Sequence, residues 1–149
     1  MAADPIQPWP IVKRPSTLFP VRPLQQLLRA RGHTVAVDGN FGVQTEAAVK
    51  SFQQSKGLAA DGIVGPQTWP KLVVQVKSGS TGDAVRGVQE VRKFHDQSDG
   101  EGPVIHIDGI FGPQTDAWVR GFQTAVGTTS DGIVGPITWR AMVSGMLSG

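Results

Sequence analysis

The sequence predicts an all-α protein made of two tandem three-helix domains behind an extended, Pro-rich N-terminal arm. Two observations lead there: a long stretch of sequence occurs twice, and between its turns the apolar residues fall at helical spacing. Asp38-Gly-Asn-Phe-Gly-Val-Gln-Thr45 recurs as Asp108-Gly-Ile-Phe-Gly-Pro-Gln-Thr115, 70 residues on. Asp61-Gly-Ile-Val-Gly-Pro-Gln-Thr-Trp69 recurs as Asp131-Gly-Ile-Val-Gly-Pro-Ile-Thr-Trp139 at the same offset, as does Phe52-Gln53 at Phe122-Gln123. Upstream, Val21-Arg22-Pro-Leu24-Gln25 matches Val85-Arg86-Gly-Val88-Gln89 at an offset of 64, so the second copy has gained six residues. The gain falls between Phe94 and Val104, where His95-Asp-Gln-Ser-Asp-Gly-Glu-Gly-Pro103 has the Gly, Ser, Asp and Pro content of an enlarged surface loop.

Taken along the chain, residues 1–18 match neither copy and read as the arm. Pro5, Pro8, Pro10 and Pro15 forbid a helix, and Trp9 among them is a large apolar group expected to dock on one of the domains. The first domain, 19–76, opens with a helix whose apolar stripe is Val21, Leu24, Leu27 and Leu28, closed by Gly32. Its second helix carries Ala48, Val49 and Phe52 and stops at Gly57; a short third carries Trp69, Leu72 and Val73. Residues 77–83, with Lys77-Ser-Gly-Ser-Thr-Gly82, read as a linker. The second domain, 84–149, repeats the pattern with Val85, Val88, Val91 and Phe94, then Trp118, Val119 and Phe122 up to Gly127, then Trp139, Met142 and Val143. Each domain is barely large enough to bury an adequate core alone, so the two are expected to pack on each other or be held by the linker.

The Asp-Gly-x-apolar-Gly motif occurs four times, at Asp38, Asp61, Asp108 and Asp131. Asp-Gly suits a tight turn in which glycine takes positive φ, and the second glycine can cap a helix. Pro66, Pro113 and Pro136 follow in three of the four, at the first helical position where a missing N–H is harmless.

Composition removes several function classes. The 149 residues include no cysteine, which excludes disulfides, thiolate metal sites and a cysteine nucleophile. Fourteen Lys+Arg stand against twelve Asp+Glu, and the basic residues are scattered, so no nucleic-acid footprint is expected. No apolar run reaches the roughly 20 residues of a membrane helix, so no membrane insertion is expected. The prolines of the opening residues replace the apolar stretch of a signal peptide, so no secretion signal is expected in the chain.

The ordered residues Leu24-Gln25, Gly32, Asp38-Gly-x-Phe-Gly-x-x-Thr45, Ala48-Val49, Phe52-Gln53, Gly57-Leu58 and Asp61-Gly-x-Val-Gly-Pro-x-Thr-Trp69 resemble the peptidoglycan-binding domain found at the ends of many bacterial cell-wall hydrolases. The resemblance covers residues 20–74 and again 84–144. It implies a compact three-helix fold that attaches its owner to murein, usually beside a separate catalytic domain. The sequence departs from that pattern at Val88, where the family has Leu, and in the loop gained by the second copy, and no catalytic domain is expected among its residues.

Catalytic chemistry is not expected. Zinc hydrolysis needs three convergent ligands; His33, His95 and His106 read as loop histidines, with no His-Glu-x-x-His. No serine has the neighbours of a known nucleophile motif, and four of the nine Asp are committed to turns. Glu46 and Asp116 stand at equivalent helix starts, where they favour the helix dipole. No cofactor or metal is expected.

A murein binder needs a shallow groove with amide side chains and backbone N–H groups facing sugar hydroxyls, amides and stem carboxylates. The candidate contacts are Asp38, Asn40, Gln44 and Thr45 in the first domain and Asp108, Gln114 and Thr115 in the second. Gln25, Gln53, Gln89 and Gln123 read as hydrogen bonders between helices, and Trp69 and Trp139 as core. Arg22, Arg29, Arg31, Arg86, Arg92 and Lys93 read as a solvated face able to meet carboxylates or phosphates. The expected function is non-catalytic attachment to peptidoglycan at the cell wall or outside the cell, with a separate hydrolase or a particle protein as a further partner. The competing expectation is a structural adaptor that uses the same domains for protein docking, as in a phage-tail-like or injection particle.

Overall fold

A computed structural model describes residues 6–96 and 105–146. Its six helices are α1 (Val21–Ala30), α2 (Val43–Ser55), α3 (Trp69–Leu72), α4 (Asp83–Asp96), α5 (Pro113–Val126) and α6 (Pro136–Val143). Among the described residues the extended pairing is limited to isolated bridges. Helices α1 to α3 form one unit and α4 to α6 the other, in line with the tandem all-α fold the sequence predicts.

The helices begin and end where local chemistry requires. Gly42, Gly112 and Gly135 are extended N-caps, and Pro113 and Pro136 occupy first-turn positions. Gly127 ends α5 in the left-handed region at φ 84° and lets the Thr128 N–H bond back to the Gln123 carbonyl at 2.9 Å. One start differs from expectation: the helix foreseen after Gly65-Pro66 begins only at Trp69. Pro70 has no N–H to give the Pro66 carbonyl, so residues 66–68 close a turn, whereas Arg140 at the matching place lets α6 start at Pro136.

The core of each unit is built from the foreseen stripes. Leu24, Leu27, Leu28, Val49, Phe52, Trp69 and Leu72 are buried in the first, and Val85, Val88, Val91, Val119, Phe122, Trp139 and Met142 in the second. Each unit adds a phenylalanine from its first turn, Phe41 or Phe111.

The arm corrects the reading that residues before Phe19 match neither copy. Val12 pairs with Val64 through two 2.9 Å backbone bonds, just as Val76 pairs with Val134 at 3.2 and 2.8 Å. The Trp69 indole N–H donates to the Pro10 carbonyl and the Trp139 indole N–H to the Val74 carbonyl, both at 2.8 Å. Ser16 accepts from the Phe41 N–H, and Ser80 from the Phe111 N–H. Residues 10–16 and 74–80 are therefore the same structural piece, used once by each unit. The arm also does what its tryptophan foretold, since Trp9 stacks on Trp69 with ring centroids 5.9 Å apart.

A second correction concerns the enlarged loop. Helix α4 runs on through His95 and Asp96, the start of the predicted loop, because His95 packs its ring on Phe122 at 5.6 Å and Arg92 pairs with Asp96 at 3.4 Å. The rest of that loop, 97–104, lies outside the described residues.

The units pack through α1 and α4, which run antiparallel. Phe19, before α1, stacks on Phe94 near the end of α4 at 4.1 Å, while Arg29 at the far end of α1 approaches Asp83 at 3.8 Å. Between them Glu90, 5% exposed, accepts from Arg22 at 3.1 and 3.2 Å and from Gln26 at 3.2 Å. Gly87 keeps the helices close: a β-carbon there would lie 3.2 Å from the buried Trp139 ring and 3.6 Å from the Pro23 carbonyl.

Candidate functional site

The four Asp-Gly turns share one construction, and a glutamine is its centre. In the first, Gln25 donates its amide to Asp38 Oδ1, the Asn40 carbonyl and Thr45 Oγ1 at 3.0, 3.0 and 3.1 Å. Its carbonyl oxygen accepts the N–H groups of Asp38 and Gly39 at 3.1 and 3.0 Å. Gln53 does the same for Asp61, Gly62 and Thr68, Gln89 for Asp108, Gly109 and Thr115, and Gln123 for Asp131, Gly132 and Thr138. All four glutamines are buried, so each ties a helix to the turn that starts or precedes another. Positive φ at the turn glycine, 77° at Gly39 and 74° at Gly109, is what lets its N–H face the glutamine.

The aspartates of three turns are held ionised. The Asn40 N–H and then the Gln25 amide lower the Asp38 pKa; for Asp108 the causes are the Ile110 N–H and then Gln89. Asp131 is lowered first by the Ile133 N–H.

The seven candidate residues are therefore split. Asp38 and Thr45, like Asp108 and Thr115, are gathered around Gln25 and Gln89, with both threonines buried. Asn40 sits at the rim of the first turn with its side chain exposed, and its backbone takes part in the turn. Gln44 and Gln114 are exposed on the first turns of α2 and α5 and belong to neither network.

Gln44 instead borders a groove of about 460 Å³ between α2 and residues 33–36, with His33, Val35, Ala47 and Ala48 on its walls. At the equivalent place in the second unit a groove of about 360 Å³ runs between the end of α4 and α5, lined by His95, Asp96, Ala117, Trp118, Gly121 and Phe122. Gln114 does not line it. In each unit a histidine ring meets the second-helix phenylalanine, His33 on Phe52 at 6.0 Å and His95 on Phe122 at 5.6 Å. Burial pushes the His95 pKa down against the opposing charge of Asp96. Apart from Gln44, none of these groove residues is among the contacts expected from sequence. The signal was the mismatch of Ala48 with Trp118, a difference in size that two copies of one core position would not share.

The arginines are largely engaged within the fold. Besides the Arg22 pair with Glu90, Arg31 donates to the Leu72 and Val73 carbonyls, Arg29 to that of Val35, and Arg86 pairs with Asp83 at 2.9 Å. Among the described residues no group of three His, Asp or Glu side chains is placed to hold a metal ion. No helix among them is long and apolar enough to cross a membrane.

A family model described as "Putative peptidoglycan binding domain" matches residues 20–72 and 81–142. The N-acetylmuramoyl-L-alanine amidase CwlL of Bacillus licheniformis is 31% identical over 157 aligned residues, which take in 86% of this chain and 44% of the amidase. The amidase CwlM of Mycobacterium tuberculosis is 34% identical over 74% of this chain and 29% of its own length. The chain spans less than half the length of these curated relatives. A crystal structure of a Clostridioides difficile peptidoglycan-binding protein with glutamine hydroxamate is 41% identical over 42% of this chain and 40% of that one, with a TM-score of 0.42. A Burkholderia AP3 phage endolysin is 32% identical over 56% of this chain and 32% of that one, with a TM-score of 0.43. With both helical units matched, the chain belongs to the peptidoglycan-binding domain family, whose module it carries twice.

Proposed function

We propose that the protein binds bacterial peptidoglycan without cleaving it, using both units, and that it acts at the cell wall. The observation that carries this reading is the family match over both units, 20–72 and 81–142. The side chains assigned to ligand contact are the exposed Asn40, Gln44 and Gln114, whose amides suit sugar hydroxyls and stem-peptide amides or carboxylates. Asp38, Thr45, Asp108 and Thr115 act behind them by shaping the turns. The amidase activity in the relatives' names belongs to proteins more than twice as long; holding such an enzyme, or a particle protein, at the wall is the role this reading gives the chain.

Co-sedimentation with purified sacculi across a salt series tests it. The protein is expected to pellet at low salt and to stay bound as salt rises, because amide contacts are not screened as charge pairs are. Gln44→Ala and Gln114→Ala, each verified as folded, are expected to weaken binding by about threefold to tenfold, the loss of one hydrogen bond each. Binding that vanishes at moderate salt, or never occurs, would overturn the reading. Full binding by both variants would remove these glutamines from the contact.

A further inference from the structure

The way the two units are joined constrains how they meet a polymer. Helices α1 and α4 are equivalent elements, related by the offset of 64, and they touch through the same face. Gln26 bonds to Glu90, which is its own counterpart 64 residues later. The packed pairs run in opposite senses along the two helices, Phe19 with Phe94, Arg22 with Glu90 and Arg29 with Asp83, and their midpoint falls at Leu24 and Val88, counterparts two residues before Gln26 and Glu90. Two like helices packed antiparallel, same face to same face and centred on one shared position, are related by a local two-fold axis through the contact. This is the isologous geometry of a symmetric dimer, here built within one chain. The join is also firm: Glu90 is buried with three bonds from α1, and Gly87 brings the helices together against Trp139.

A two-fold axis reverses every direction perpendicular to it, and the line joining any pair of equivalent sites is perpendicular to it. A straight strand long enough to reach from one site to the other would run along that line. It would thus enter the second site backwards. Glycan strands are directional, since each repeat has distinct ends and its stem peptide leaves from a fixed sugar, so a surface that fits one direction misfits the other. The strand is reversed in this way wherever on the unit the ligand sits. We infer that the two units hold two different strands of the wall, bridging them, in place of gripping one strand at two points. This rests on the murein-binding reading and deepens it: the ligand of the whole chain is a pair of strands.

The test uses the intact protein with three probes: sacculi, a soluble disaccharide-peptide repeat, and long uncrosslinked glycan strands bearing stems. Calorimetry is expected to count two soluble repeats per chain. Long strands are expected to bind each unit with an affinity within about threefold of the single repeat, since no second contact on the same strand is gained. Light scattering should rise as protein links long strands into a network and fall again when protein is in excess. An affinity for long strands raised about a hundredfold or more, with one strand per chain and no network, would overturn the inference, because that is the signature of both units on one strand. One repeat bound per chain would overturn it as well. In the first case pelleting with sacculi would leave the murein reading standing; in the second it would leave murein binding but not the use of both units; failure to pellet with sacculi would remove the reading and the inference together.

Discussion

At the scale of single residues, the most consequential side chains are the four buried glutamines, which a sequence reader meets as polar residues beside apolar ones. Gln123 donates to Asp131, the Ile133 carbonyl and Thr138 and accepts from Gly132, all between 2.9 and 3.1 Å. Gln123→Leu keeps the volume but leaves those groups without their partner, so it is expected to lower unfolding free energy by about 2–4 kcal/mol in urea titrations. A loss near zero would mean the turn is held by other contacts. The same networks set the acid response. Asp38, Asp108 and Asp131 have folded pKa values below the ordinary 3.8, so the folded state binds fewer protons than the unfolded chain in that range. Their stabilisation is complete above 3.8 and fades as pH falls through the folded values. Melting temperatures of Asp38→Asn with Asp108→Asn should therefore fall less steeply with acid than those of the parent; parallel curves would contradict the assignment.

Among the elements, the helices were legible because apolar spacing, glycine stops and Pro starts all agree at each of them. What sequence did not reveal was the pairing of residues 10–16 and 74–80 with the cores of their units. Its trace is short, Val12-Lys13-x-x-Ser16 against Val76-Lys77-x-x-Ser80, and the prolines of one and glycines of the other hide it. Backbone bonds, which use no particular side chain, carry most of that pairing. The grooves were illegible for a related reason: a groove is defined by what α2 and α5 fail to cover, and Trp118 at helical spacing looks like core until its neighbours are known. The arm gives an element-scale prediction. Removing residues 1–12 strips Trp69 of its Pro10 acceptor and of the Trp9 stack, and Val64 of its bridge. Trp69 emission should shift to the red and the first unit should lose about 2–4 kcal/mol, the scale of a buried aromatic contact with its hydrogen bonds. Emission and stability unchanged beyond the loss of Trp9 itself would contradict this.

For the whole molecule, the join between the units matters more than the segment that links them in sequence. Glu90 is buried while Arg22 is about half exposed, so the two ends of one ion pair are not equivalent. Glu90→Ala removes the acceptor of both Arg22 and the buried Gln26 and is expected to cost about 1–3 kcal/mol. Arg22→Ala leaves the buried Glu90 carboxylate with only the Gln26 amide as partner and is expected to cost at least as much. Negligible effects of both variants in thermal unfolding would show that the join does not rest on Glu90. Murein binding by both units is checked by titrating the labelled protein with a soluble disaccharide-peptide repeat and following its amide resonances by NMR. Saturable shifts are predicted in both units, including the side-chain amides of Gln44 and Gln114. Shifts confined to one unit, or absent at millimolar repeat, would contradict it.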